Sequence, residues 1–413
     1  MRSFDLLLQF YYKPLTLTLS PAWTGRGNYS NSFEPRRFRS YTTRVKAAIL
    51  HGKLNIRIED IAPPPLKPGE VRIRIEAALT CGTDLKVFKR GYHAKMIVPP
   101  AVFGHELAGT ISEIRSQKPE VRSQNWENGE RVVVANSAPC GDCFFCKNNR
   151  ENLCDDLQFL NGAYAEEIVV PARFVQKNLL RLKPETPFRD AALTEPLACV
   201  VQGVEDSKLR AGQNVLILGA GPIGLMFVAL AKNLGCHVAV AGRGEKRLQM
   251  AQRLGAIEII NVGDGENLVE KIRTAVFGVR GHVRALKSGD MSPQSKSALG
   301  FDVVIEAVGK PEAWEAAVQL VRKGGTVNFF GGCPSGASVS LDTQLIHYSN
   351  LTLLASFHHT PRAIRRALEF IEAGVVRAAD FVDGECPLTR LPELFKSMAE
   401  GNRAIKTLIK VHE

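Results

Sequence analysis

The sequence lacks any run of about 18 uninterrupted apolar residues, which is the length that a membrane-spanning helix needs. It does not have the composition of a disordered chain either, because 45% of its 413 residues are hydrophobic and 23% are charged. Its formal charge of +11 does not lie on a folded face, since residues 1–44, 115–124 and 279–297 carry ten of the eleven charges. We therefore expect two domains, with no membrane partner and no nucleic-acid partner.

Cysteine is sparse outside one short segment. Four of the nine cysteines fall within fifteen residues, at Cys140, Cys143, Cys146 and Cys154. A secreted disulfide framework would be shorter and more evenly studded with cysteine, so this clustering indicates metal ligation in a reducing compartment, the cytoplasm. Four thiolates at this spacing predict a closed structural zinc site, with an iron–sulfur cluster as the alternative.

The first 44 residues differ in composition from everything that follows. They are rich in Arg and Ser and poor in acid, which is typical of organellar transit peptides. The alternatives are an extension that is not native to the protein and a disordered arm, and we expect the mature chain to begin near Val45. Residues 115–125 and 279–298 are polar inserts that we expect to form surface loops.

The remaining sequence changes character near residue 213. Up to about residue 200 it reads as short apolar strands, such as 71–77, separated by proline and glycine turns. Long helical periodicity first occurs at 190–208. Beyond 213, strands and helices alternate, which predicts a parallel sheet of an α/β protein. The predicted strands include 214–218, 237–241 and 301–307, and the predicted helices include 223–234, 245–254 and 312–321.

A glycine-rich turn follows the first of these strands and opens the next helix. In a GxGxxG turn the first glycine permits the tight bend, the second lets a pyrophosphate approach, and the third lets the helix pack on the strand. The free N–H groups of the helix then bind the phosphates. A dinucleotide site is therefore predicted at Gly219, Gly221, Pro222, Ile223 and Gly224.

The end of the second strand bears on the choice of dinucleotide. An NAD site usually carries an acid there for the ribose 2′-hydroxyl, whereas this sequence has Gly242 followed by Arg243. A guanidinium can bind a 2′-phosphate, and Arg247 follows in the next helix, so NADP is favoured over NAD. The alternative is that Arg243 is only a solvated residue at a strand end.

A second metal site is indicated by scattered residues. Cys81, His105 and Glu106 offer one thiol, one imidazole and one carboxylate, and Glu195 offers another acid just before a helix. Such a mixed set makes an open zinc site of the catalytic type. Two zinc ions per chain are therefore predicted.

Taken together, these motifs resemble the zinc-dependent medium-chain alcohol dehydrogenases over about residues 45–413, and most closely the sorbitol (polyol) and threonine dehydrogenase branch. The elements CGTDLK, GHE, the four cysteines, TEPLA and GAGPIG occur in the order of that family. The resemblance implies a GroES-like, β-rich catalytic domain at 45–200 and 346–413. It also implies a Rossmann domain with a doubly wound parallel sheet at 201–345.

The resemblance also assigns roles to individual residues. It makes Cys81, His105 and Glu106 ligands of the catalytic zinc, and it lets Glu195 reach that metal directly or through water. Thr83 corresponds to the hydroxyl that relays the substrate proton.

Three places depart from the family pattern, and one of them is Arg115 with the insert that follows it, where a small residue is usual. Lys86 stands where a relay histidine is common, and His358 stands near a substrate-contacting arginine of the polyol enzymes. The proton exit route and the pocket contact are therefore assigned to Lys86 and His358 only as expectations.

The expected reaction is reversible oxidation of a secondary alcohol, a polyol or a threonine-like substrate, with hydride passing to a nicotinamide cofactor. Two alternatives are a zinc-free quinone-reductase-like enzyme of the same fold and a non-enzymatic NADP-sensing or nucleic-acid-binding protein. Family resemblance implies a homodimer or a homotetramer.

Overall fold

A computed structural model describes residues 44–93, 95–115, 125–263, 265–277, 300–401 and 404–412. The expected N-terminal extension up to residue 43, and the expected surface loops over residues 116–124 and 278–299, lie outside the described residues. What was predicted of those segments stays a prediction.

The first part of the described chain is rich in short strands. Its strands are β1 (Val45–Gly52), β2 (Asn55–Ile61), β3 (Val71–Leu79), β4 (Ala101–Val102), β5 (Glu106–Ile114), β6 (Arg131–Val134), β7 (Ser137–Ala138), β8 (Gln158–Phe159), β9 (Glu167–Val170) and β10 (Leu179–Arg181). Its helices are α1 (Gly82–Arg90), α2 (Phe144–Lys147), α3 (Ala172–Lys177), α4 (Phe188–Ala191) and α5 (Thr194–Asp206).

The second part alternates strand and helix before it returns to the first. Its strands are β11 (Asn214–Leu218), β12 (His237–Gly242), β13 (Glu258–Asn261), β14 (Phe301–Glu306), β15 (Val321–Phe329), β16 (Thr352–Leu354), β17 (Val382–Pro387) and β18 (Lys406–Lys410). Its helices are α6 (Pro222–Asn233), α7 (Glu245–Arg253), α8 (Leu268–Phe277), α9 (Pro311–Leu320), α10 (Thr343–Tyr348), α11 (Pro361–Glu372), α12 (Ala378–Phe381) and α13 (Leu391–Ala399).

The larger sheet of the β-rich part is built around β3. The strand order is β10-β6-β5-β3-β18-β17, and β9 also pairs with β3. Antiparallel pairing of β3 with β5 sets Leu79 opposite Glu106, and β18 runs antiparallel along the other edge of β3, with Leu408 opposite Leu79. The end of β3, the start of β5 and the last strand of the chain therefore meet at one place.

The second sheet has six parallel strands in the order β13-β12-β11-β14-β15-β16. The side chains of Val215, Leu216, Ile217 and Leu218 in its central strand β11 are all buried. A parallel strand is this uniformly apolar because the crossover helices cover both faces of the sheet. The α/β class expected from the sequence is confirmed.

The parallel sheet extends beyond residue 345, where the sequence analysis ended the Rossmann segment. Its edge strand β16 pairs with β15, and Leu353 lies opposite Val327. The chain then returns through α11, which packs on α5. The exact domain boundaries stay a prediction.

Candidate active site

The residues predicted to form the open metal site converge where β3 ends and β5 begins. Cys81 lies at the N-terminus of α1, where its sulfur accepts a hydrogen bond from the Thr83 N–H at 3.4 Å. His105 directly precedes β5, and Glu106 is the first residue of that strand. The donor atoms of Cys81, His105 and Glu106 all lie within 4.8 Å of one another.

The ring of His105 is held in one orientation by a buried carboxylate. Its Nδ1 lies 2.9 Å from Oδ1 of Asp84, and the other oxygen of Asp84 accepts a hydrogen bond from the Tyr164 hydroxyl at 2.6 Å. All three side chains are buried. With the proton on Nδ1, the lone pair of Nε2 is left for a metal, which is the usual carboxylate–histidine–zinc arrangement.

The charge around His105 suits a metal ligand. Burial acts to lower the pKa of His105, but the Asp84 carboxylate and the Cys81 sulfur outweigh it and raise the pKa well above its ordinary value. The pocket therefore stabilises positive charge at this imidazole, whether a proton or a metal ion supplies it.

Glu106 is tied to a lysine that the sequence analysis did not identify. Lys406, the first residue of β18, donates to both oxygens of Glu106 at 2.7 and 2.5 Å and to the Thr80 carbonyl at 3.0 Å. Burial acts to lower the pKa of Lys406, but Glu106 outweighs it and raises that pKa, so the ammonium stays charged. The ligand role predicted for Glu106 requires this buried ion pair to open.

Glu195 is the other acid predicted for the metal, and it lies in the first turn of α5. Burial acts to raise its pKa, but the hydrogen bond from His359 and the charge of His105 outweigh burial and lower the pKa to about 2. Glu195 is therefore a carboxylate whose oxygens are not held by a lysine in the described residues, and it faces the charge of His105. The donor group that contains Cys81 and His105 includes Glu106 and not Glu195, so the ligand role of Glu195 stays a prediction.

The predicted pocket residue His358 lies beside Glu195 rather than in a solvated loop. Donor atoms of Glu195, Cys199, His358 and His359 lie within 4.8 Å of one another. The Nε2 of His358 is 2.6 Å from the Ser137 hydroxyl oxygen. Burial, followed by the charge of His359, lowers the pKa of His358 well below its ordinary value, so its ring is neutral. The sequence analysis did not assign Cys199 or His359 to a site.

The two residues predicted to move the proton have different surroundings. Thr83 is half-buried on the first turn of α1, two residues beyond Cys81. Lys86 is exposed on the same helix, one turn further along. A path from the metal site towards solvent through these two residues stays a prediction.

The four clustered cysteines form a separate donor set around α2. The sulfurs of Cys140 and Cys146 lie 3.9 Å apart, and all four thiol groups, including Cys143 and Cys154, lie within 4.8 Å of one another. The N–H groups of Asp142 and Cys143 each donate to the Cys140 sulfur at 3.3 Å and lower its pKa to about 6.

Both donor sets fit zinc. Tetrahedral zinc with bonds of about 2.3 Å to sulfur separates its thiolates by about 3.8 Å, close to the spacing of Cys140 and Cys146. Backbone N–H groups that point at the sulfur favour the thiolate that zinc requires. At the other set, the fixed tautomer of His105 presents the nitrogen that a metal would bind.

The glycine motif has the geometry that the sequence analysis predicted. Gly219 has a φ of +109°, and its N–H donates to the Ala241 carbonyl at 2.7 Å. A Cβ on Gly224 would lie 1.8 Å from the Gly219 carbonyl oxygen, whereas a Cβ on Gly221 would meet nothing within 4 Å. Helix α6 therefore packs directly on the turn, and the second glycine leaves open space at the start of this helix, where Pro222 and Ile223 form its first turn.

The second strand ends beside this turn. A Cβ on Gly242 would lie 2.6 Å from the Cβ of Ala220, so β12 approaches the glycine motif too closely for a larger residue at this position. Arg243 follows and is exposed. Arg247 lies in α7 and donates to the Ala404 carbonyl at 3.4 Å, so the structure directs its side chain towards the chain just before β18.

Glu306 is a buried carboxylate at the carboxyl end of β14. Its Oε1 accepts hydrogen bonds from the N–H groups of Val308 and Gly309 at 2.7 and 2.9 Å, and its Oε2 has no partner among the described residues. Burial raises the pKa of Glu306 to about 7, against the backbone N–H groups that act to lower it.

A Glu306→Gln variant is expected to lose part of the pH dependence of stability. Because the folded pKa of about 7 exceeds the ordinary 4.5, the folded state holds this proton more tightly, and stability falls as pH rises through that window. The shift corresponds to about 3 kcal/mol. Urea unfolding at pH 5 and pH 8 should show a smaller fall for Glu306→Gln than for the wild type. The exposed Glu312→Gln is the control, and equal falls in all three proteins would contradict the assignment.

Comparison with known proteins identifies the family. The profile "Alcohol dehydrogenase GroES-like domain" matches residues 67–181, and "Zinc-binding dehydrogenase" matches residues 222–373. D-altritol 5-dehydrogenase of Agrobacterium fabrum is 33% identical over 339 residues, which cover 80% of this chain and 89% of that protein. Sorbitol dehydrogenase of Bacillus subtilis is 28% identical over 88% of this chain and 97% of that protein.

A solved structure agrees with these relatives. A zinc-binding dehydrogenase of Sinorhizobium meliloti 1021, bound to NADP, matches with a TM-score of 0.77 and 28% identity over 89% of this chain and 100% of that chain. Fold and donor sets thus define a zinc-dependent oxidoreductase with a nicotinamide cofactor. The chain belongs to the zinc-dependent medium-chain alcohol dehydrogenase family, in its sorbitol (polyol) and threonine dehydrogenase branch, which confirms the resemblance of the sequence motifs.

Helices that could cross a bilayer were also sought. Within the described residues, no helix combines the length and the apolar character that this requires.

Proposed function

We propose that the chain oxidises a secondary alcohol or polyol to a ketone, with one catalytic and one structural zinc ion and with NADP(H) as the preferred coenzyme. The observation that carries the proposal is the convergence of Cys81 with His105, whose ring is oriented by the buried Asp84. The relatives that act on sorbitol and D-altritol support a polyol as the substrate. The zinc-free alternative does not account for the two places where potential metal ligands converge.

Cys81, His105 and Glu195 would hold the catalytic zinc, and Cys140, Cys143, Cys146 and Cys154 the structural zinc. The catalytic ion would supply Lewis-acid polarisation of the alcohol oxygen, and the nicotinamide would supply the hydride acceptor.

The side chains of this protein position the reactants and handle the proton. Asp84 accepts from Nδ1 of His105, which would leave Nε2 as the nitrogen that binds the metal in place of a proton. Thr83, close to Cys81 on α1, would accept the proton of the alcohol and pass it towards solvent on the side of Lys86. Lys406 pairs with Glu106, which would leave Glu195 as the acid available to hold the metal.

A substrate screen tests the reaction. The purified full-length chain should reduce NADP⁺ with polyols or simple secondary alcohols, and L-threonine is included because it represents the threonine dehydrogenase side of the branch. No turnover with any of these substrates and either coenzyme would overturn the proposal. Turnover with L-threonine alone would redirect it to the amino alcohol.

Coenzyme preference should depend on Arg243. A charge-assisted contact to the 2′-phosphate is worth about 1.5–3 kcal/mol, which corresponds to roughly tenfold to a hundredfold in favour of NADP(H). Arg243→Leu should remove this factor from the ratio of kcat/KM values, whereas Lys246→Leu, at an exposed neighbour, should change it little. Gly242→Asp is not a suitable test, because the Cβ of the aspartate would collide with Ala220. A wild-type preference for NAD(H) would show that Arg243 does not select the 2′-phosphate.

A further inference from the structure

Four potential metal ligands cluster beside the proposed catalytic site, and only one of them has been used so far. They are Glu195, Cys199, His358 and His359, whose donor atoms all lie within 4.8 Å of one another. Glu195 and Cys199 lie one helical turn apart on α5, so they project from the same face of that helix. The two histidines come from the segment between β16 and α11. Two separate elements therefore bring one carboxylate, one thiol and two imidazoles to one place.

The spacing within this cluster is closer to that of metal ligands than to a good hydrogen bond. The Glu195 Oε1 and the His359 Nε2 are 3.5 Å apart. Hydrogen bonds between nitrogen and oxygen centre near 2.9–3.0 Å, whereas a nitrogen and an oxygen bound tetrahedrally to zinc lie about 3.3 Å apart. The mixed donor set of carboxylate, thiolate and imidazole is also one that zinc accepts.

The hydrogen bonding of His359 is incomplete. Its side chain is buried, its Nε2 lies 3.1 Å from Oδ1 of Asn136, and its Nδ1 has no partner among the described residues. A buried imidazole nitrogen without a partner is rare in folded proteins and calls for an explanation. A metal ion bound through Nδ1 would give that nitrogen a partner, whereas one bound through Nε2 would replace the contacts of this atom with Asn136 and Glu195.

The backbone at His358 is held in an uncommon conformation. Its φ is +59°, in the left-handed region that residues other than glycine seldom adopt. This conformation brings two consecutive imidazole rings together, with centroids 3.9 Å apart. Strain of this kind persists where the surrounding structure needs the side chain in that place.

From these observations we propose that Glu195, Cys199, His358 and His359 form a second position for a divalent transition metal, Zn²⁺ or Co²⁺, next to the catalytic position. The two positions share Glu195. A metal ion at the second position would therefore compete with the catalytic site for this carboxylate.

Cobalt binding tests the proposal without relying on turnover. The full-length Cys81→Ser/His105→Ala variant, with zinc retained in the four-cysteine cluster, is titrated with Co²⁺. We expect one equivalent to bind, with the near-ultraviolet charge-transfer band of a thiolate–Co²⁺ bond. Adding Cys199→Ser should abolish the band, and adding His359→Ala should weaken binding at least tenfold. Cys236→Ser in the same background is the matched control and should keep the band.

Two results would overturn the proposal, namely no Co²⁺ uptake by the variant, or a charge-transfer band that survives Cys199→Ser. Thermal melting and the zinc content of the four-cysteine cluster verify that each variant is folded. If the double variant does not fold, Cys81→Ser alone provides the same comparison with and without Cys199→Ser. Alcohol oxidation by the wild type is measured separately, so the failure of the proposed function and the failure of this metal position can be distinguished.

Discussion

The Cys81→Ser variant is expected to lose at least three orders of magnitude in kcat/KM while it keeps its fold. The thiol lies at the end of β3 within 4.8 Å of the His105 and Glu106 donor atoms, so its replacement removes the thiolate from the catalytic donor set. Polarisation by a bound metal is worth several kcal/mol, and about 4 kcal/mol corresponds to roughly a thousandfold in rate. Serine is close to cysteine in size, and the side chain is only partly buried, so packing changes little.

Steady-state kinetics with the best substrate of the screen provide the measurement. Cys236→Ser is the matched control, because Cys236 is buried in the hydrophobic core and its thiol donates to the Arg210 carbonyl at 3.2 Å. The control should keep its kcat/KM within a few-fold of the wild type. Near-wild-type turnover of Cys81→Ser would show that Cys81 is not a ligand of the catalytic metal. A histidine variant is a less clean test, since removing His105 leaves the buried Asp84 without one of its partners.

The Cys143→Ser variant is expected to lower thermal stability sharply. Cys143 lies at the N-terminus of α2 within the four-cysteine donor set, and structural zinc sites of this type contribute folding free energy directly. A loss of about 5 kcal/mol would lower Tm by roughly 10 °C or more in a domain of about 150–250 residues. The soluble yield should fall for the same reason.

Thermal melting and zinc analysis provide this measurement, and Cys333→Ser is its control. Cys333 lies outside the three donor sets found in the described residues, so its replacement should change neither Tm nor zinc content. A Cys143→Ser protein that keeps both the wild-type Tm and the full zinc content would rule out the cluster as a structural zinc site.

The strands and helices of the coenzyme half of the molecule could largely be predicted from the sequence. The predicted strand at 214–218 coincides with β11 (Asn214–Leu218), and the predicted helix at 223–234 is α6 (Pro222–Asn233). Strands buried on both faces and the glycine turn that follows them leave strong local signals.

The helices of the β-rich half were predicted less well from the sequence. Strands such as 71–77 were predicted, but α1 (Gly82–Arg90), whose N-terminus is capped by Cys81, was not. One helix was expected over 190–208, whereas the structure has α4 (Phe188–Ala191) and α5 (Thr194–Asp206). Short helices whose ends are set by tertiary packing produce too little periodicity to be recognised.

The sequence by itself determined the family, the fold class, the glycine motif and the grouping of the four cysteines, because each depends on residues close together in the chain. Only the tertiary structure decided that Lys406 pairs with Glu106, 300 residues away, and that His358 and His359 lie beside Glu195 and Cys199. These contacts depend on β18 joining β3 and on the segment after β16 returning to α5. Local sequence signals do not encode such long-range pairings, because they arise only when distant elements pack into one core.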